Sequence, residues 1–133
     1  MVIVTLKGFA MHPHQAVSSY SPKLATHCKR PQLEAPMVVA QFIDAGITLA
    51  KWYGCNKCML LQELYLKRTF DELLHNIADP LVHQALRQQC QDQLYKPLLA
   101  LKRYYKSIPH GRSRFLKIEH EARVISHIFN PYS

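Results

Sequence analysis

Four kinds of side chain in this sequence could do chemistry: a pair of cysteines, an unusual number of histidines, a few close carboxylates and one concentrated run of cations. The cysteines stand in "YGCNKC", where Cys55 and Cys58 are three residues apart. Placed at the start of a helix, that spacing turns both sulfurs to one face, close enough to share a metal, and a helix N-terminus favours the thiolate. One CxxC supplies only half of a zinc site, so the remaining donors must come from single residues elsewhere. Cys90 is the natural third ligand, with Cys28, His27, His83 and His127 also available. His83 and Cys90 are seven apart, two helical turns or roughly 10 Å, and cannot both serve one ion. The more economical reading is four cysteines packed as small hydrophobes, with no resident cofactor and a structural zinc as the alternative. A redox CxxC would need a βαβ pattern beside it, and the sequence has none.

Eight histidines are scattered along the chain, and His12 and His14 fall in a proline-rich segment. Asp71 and Glu72 are adjacent, so on a helix they point to different sides and do not form an acid/base pair. No local pattern assembles a nucleophile, a base and an orienting carboxylate, and no glycine-rich phosphate loop is present. The residues give no support for an enzyme.

The cations are more informative. "KRYYKSIPHGRSRFLK" runs from Lys102 to Lys117 with six Lys or Arg, two tyrosines and no acid. From Tyr95 to the last residue, eight Lys or Arg face only Glu119 and Glu121, which concentrates most of the net charge of +8 there. Lys102, Arg103 and Lys106 lie about one turn apart on one predicted helix, while Arg112 and Arg114 open the next. At that opening, free backbone N–H groups and the helix dipole already favour an anion. Lys117 extends the same surface. Tyr104 and Tyr105 are expected to split, one ring to the core and one to the surface, where it could stack on a base. A helix, a short turn and a second helix with basic flanks suit a helix-turn-helix reader of double-stranded DNA. Glu119 and Glu121 confine the expected contact to the first turn of the last helix.

The elements that must hold these residues are legible from periodicity. The chain has 133 residues, with 17 Lys or Arg against nine Asp or Glu, and a pI near 9.5. One domain with one core is expected. Residues 1–36 hold Pro13, Pro22, Pro31 and Pro36 and read as an irregular arm, with a short strand near Val2 to Leu6. Residues 37–133 read as a single helical domain. A first helix follows Pro36, apolar nearly all round and therefore central, and breaks at Gly54. A second runs from about Asn56 to Ile77 on a stripe of Leu60, Leu64, Leu66, Phe70, Leu73, Leu74 and Ile77. Asp79 and Pro80 form a cap signal for a third. Pro97 marks a kink or a new start, and Ser113 can cap the last helix on the stripe Phe115, Ile118, Ala122, Ile125 and Phe129. The expected fold is all-α, a compact bundle of four or five helices with a proline-rich N-terminal arm.

No run of apolar residues reaches the ~18 of a membrane span, and the N-terminus lacks the charged region of a signal peptide. The cysteine spacing is not that of a disulfide framework. These features suggest a cytoplasmic protein. The expected function is a small basic DNA-binding regulator of transcription; so much apolar helix surface also allows a homodimer. The rival is a helical adaptor or inhibitor that docks the same basic face on an acidic protein partner.

Overall fold

The computed structural model describes the backbone of Thr5–Leu6 and Phe9–Ala10 and then residues 23–129. It is an all-α bundle. Among the described residues five helices follow one another as α1 (Pro31–Cys55), α2 (Met59–Ala78), α3 (Gln84–Gln93), α4 (Tyr95–Lys106) and α5 (Gly111–Phe129), preceded by a 3-10 turn at Leu24–His27. Thr5–Leu6 and Phe9–Ala10 pair as a short antiparallel ladder. Most of the proline-rich arm, including His12 and His14, lies outside the described residues.

Helix α1 is the centre of the bundle, as its all-round apolarity requires. It packs on α2, α3 and α4, and α5 closes over α4 and α2. It starts at Pro31, not Pro36: Pro31 takes the first helical position, and Glu34 Oε1 reaches back to accept from the Arg30 N–H at 2.9 Å. Pro36 sits inside the helix near its exposed end, and its carbonyl accepts a 3.1 Å bond from Gln93 of α3. By length and composition α1 is apolar enough to cross a membrane, but half of that window is buried within the bundle.

The end of α1 differs from expectation in an instructive way. Gly54 remains helical. The chain turns at Lys57, which takes the left-handed conformation (φ 61°), while Cys58 N–H bonds to Tyr53 O at 2.8 Å and Lys57 N–H to Gly54 O at 3.1 Å. These two bonds define a Schellman end, here built on lysine where glycine is usual.

Helix α2 buries Leu66, Phe70, Leu73, Leu74 and Ile77 as read from the sequence. Leu60 and Leu64 do not belong to that stripe: they are 84% and 38% exposed. Where α1 crosses α2, a Cβ on Gly46 would stand 2.0 Å from Thr69 Oγ1, so with threonine at 69 only glycine permits this approach. Thr69 is itself satisfied by donating to the Tyr65 carbonyl at 2.7 Å.

The third helix begins later than the Asp79–Pro80 signal suggests. Asp79 Oδ1 accepts from Leu81 N–H at 2.9 Å and closes a turn on itself, and α3 starts at Gln84 with His83 as its cap. His83 Nδ1 accepts from Ala85 N–H at 3.0 Å. Pro97 does mark a new start, lying buried in the first turn of α4. Ser113 is inside α5, which opens at Gly111, and its hydroxyl donates back to His110 O at 3.2 Å. Phe115, Ile118 and Ala122 seal α5 onto the core.

Candidate nucleic-acid interface

The basic residues of α4 and α5 divide over two faces of α4. Lys102 and Lys106, one turn apart, point to a groove of about 610 Å³ between α4 and α5, where Arg112 and His110 join them. Its apolar lining residues are Ile108, Phe115 and the exposed Leu116, and its one acid is Glu119. Arg103 is not part of that stripe. It follows Lys102 by one residue, a rotation of about 100° on a helix, and lines a different groove on the other side of α4.

Three further expectations change at this surface. Both tyrosines are buried, Tyr104 at 7% and Tyr105 at 3% exposure, so neither ring is offered to solvent. Each hydroxyl explains why: Tyr104 donates to Met59 O at 3.3 Å, and Tyr105 donates to Glu63 Oε2 at 2.6 Å. Arg114 is not a free cation, because its guanidinium pairs with the same Glu63 oxygen and lies 5.2 Å from the Tyr105 ring centroid. Glu119, expected to repel phosphate, is itself paired with Arg123 at 2.9 Å.

Four cations are left at the expected contact region, Lys102, Lys106, Arg112 and Lys117. All four are exposed, and none forms an ion pair among the described residues. Gly111 allows this arrangement. A Cβ there would meet the backbone oxygen of Tyr105 at 1.9 Å, so only glycine lets α5 start directly against the end of α4. His110 precedes it in the left-handed conformation (φ 58°). The turn 107–110 is therefore short, and it sets the first residues of α5 beside the last turn of α4.

Burial and the Glu63 carboxylate set the acid strength of the two tyrosines. Burial first, then the hydrogen bond and charge of Glu63, push the Tyr105 hydroxyl well above its ordinary range, and Tyr104 rises for the same leading reason. Cys90 is fully buried and its thiol is pushed up to about 12, by burial first and then by Glu72 and Cys28.

The cysteines do not come together as a set of three. Cys55 ends α1 and Cys58 caps α2, with the left-handed Lys57 between them, so the pair spans two helices instead of one helical turn. Both are exposed, whereas Cys90 and Cys28 lie in the core. Among the described residues, no three His, Cys, Asp or Glu side chains group to hold a metal. Trp52 and Tyr53, in the last turn of α1, form an aromatic cluster in which Tyr53 stacks on Tyr65 at 5.4 Å.

Several residues of these surfaces were not singled out from the sequence. His110 and Leu116 line the α4–α5 groove, and helical spacing from Arg112 puts Leu116 on the same face. Lys96, seven residues before the already expected Arg103, shares with it the opposite face of α4 by the same rule. Lys51 joins them only through the tertiary fold. The chain matches no protein-family model, no curated protein and no solved structure.

Proposed function

We propose that this protein binds double-stranded DNA through α4 and the first turns of α5, as a regulator of transcription. The observation that carries the reading is the convergence of Lys102, Lys106 and Arg112 at the mouth of α5, each exposed and unneutralised by an ion pair among the described residues. Phosphate oxygens are the natural occupant of such a mouth, where side-chain cations gather at a helix N-terminus. Two further features support it. The short turn 107–110 between α4 and α5 is of helix-turn-helix length. Helical spacing also puts Arg112, Leu116 and His120 on one side of α5, with Lys117 at its edge and all four exposed, and Glu119, paired with Arg123, beside Arg112. That side combines cations, an apolar contact and an imidazole, the groups with which such a helix meets a major groove.

The second reading is an acidic protein partner, favoured by one feature: Ile108, Phe115 and Leu116 give the α4–α5 groove an apolar lining. An amphipathic acidic helix would use both lining and rim. Fluorescence anisotropy with a labelled random-sequence duplex of about 30 base pairs separates the two, because phosphate binding does not depend on sequence. Binding that weakens steeply with salt, and weakens further in a Lys106→Ala, Arg112→Ala double variant, is the expected result. Absence of binding at low salt would sink the DNA reading.

A further inference from the structure

The face of α4 turned away from the proposed DNA surface borders a second groove, of about 450 Å³, between α1, α2 and α4. Its apolar lining comes from the buried Ile43 and Leu66, with Ile47 of α1 and Leu99 and Ala100 of α4 beside them. Its rim is cationic, with Lys51 of α1 and Lys96 and Arg103 of α4, against the single acid Asp44. None of these three cations is in an ion pair among the described residues; Lys96 donates to Gln93 Oε1 at 3.2 Å. Gln62 and Ser107 add neutral polar groups to the lining.

We propose that this groove is a binding site for a small organic anion with an apolar body, of the carboxylate class. Three arguments lead there. The volume lies in the range of small-ligand pockets, roughly 300–1,000 Å³. An apolar lining rewards a hydrocarbon or ring and gives nothing to an inorganic ion. Three rim cations against one acid leave an excess positive charge at the opening, and guanidinium is the side chain best shaped for a carboxylate. The site shares no lining residue with the α4–α5 groove, so it stands or falls independently of DNA binding.

The test uses sodium octanoate as probe and 1-octanol as its uncharged counterpart, titrated calorimetrically into the full chain. Octanoate is expected to saturate one site and to bind about tenfold more tightly than octanol, the order of one charge-assisted contact. Arg103→Ala and Lys51→Ala are each expected to weaken octanoate about fivefold or more by the same reasoning, with unchanged melting temperatures because both side chains are exposed. Lys106→Ala, on the other face of α4, is expected to leave octanoate binding unchanged. The proposal is overturned by no octanoate binding, by equal binding of octanol, or by a Lys106→Ala variant that loses as much as Arg103→Ala.

Discussion

At the scale of single residues, Glu63 organises the surface more than any cation does. One of its carboxylate oxygens accepts from the Tyr105 hydroxyl and pairs with Arg114, tying α2 to both α4 and α5. Glu63→Ala leaves a buried hydroxyl without its acceptor and is expected to cost about 1–3 kcal/mol. Arg114→Ala removes only the half-exposed member of the pair and is expected to cost less than about 1 kcal/mol. Urea midpoints of the two variants check that order, and the reverse order would refute it. The raised Cys90 thiol and Tyr105 hydroxyl give a pH dependence with a definite sign. Both groups hold their proton more tightly folded than unfolded, so their contribution is complete below the unfolded values, 9.0 and 10.0, and is lost as pH rises through the folded ones. Stability is therefore expected to fall from about pH 9 upward. Cys90→Ala should flatten the first part of that fall, as read from denaturation midpoints across the alkaline range.

At the scale of elements, the helices announce themselves by apolar period, and their ends do not. The stripes of α2 and α5 are readable because burial on one side repeats every three or four residues, and α1 because it is apolar nearly all round. The end of α1 was not readable at Gly54, because a lysine holds the left-handed position that glycine usually takes. Lys57→Gly is accordingly expected to stabilise the protein by about 1 kcal/mol, measurable by chemical denaturation. The start of α3 was misplaced because an aspartate before a proline can cap a helix or close its own turn, and both use the same oxygen. Leu60 and Leu64 fit the helical period but lie beyond the reach of the bundle, a fact of tertiary packing and not of spacing. Gly111→Ala drives a methyl group into the Tyr105 carbonyl and is expected to cost about 1–3 kcal/mol, with loss of the groove geometry as well. Retention of full stability in that variant would show that α5 can start further from α4 than the structure has it.

At the scale of the whole molecule, the charge asymmetry was legible and its division was not. A one-sided run of cations is visible in any reading of residues 102–117, but which of them are free depends on partners far away in sequence. Arg114 is taken by an acid on α2, both tyrosines are drawn inward by groups on α2, and Arg103 joins Lys51 of α1. Removing two of the free cations has a quantitative consequence for the proposed DNA binding. Each phosphate contact steepens the plot of log affinity against log salt by about 0.9, so Lys106→Ala with Arg112→Ala should flatten that slope by about 2. An unchanged slope would place the phosphates elsewhere on the molecule.

The two close approaches through glycine reach beyond this one molecule. At Gly46 the obstacle is a side chain on the facing helix, and at Gly111 it is main chain, which no neighbouring substitution can trim away. Lys102, Lys106, Arg112 and Lys117 near Gly111 are exposed and in no ion pair among the described residues. Descendants of a common ancestor with this fold should therefore keep glycine at 111 most strictly and let residues 46 and 69 change together, a larger one on α1 matched by a smaller one on α2. The lysines and arginines should wander along the surface while their sum persists. Common descent would then show in two small residues long after it had faded from the charged ones.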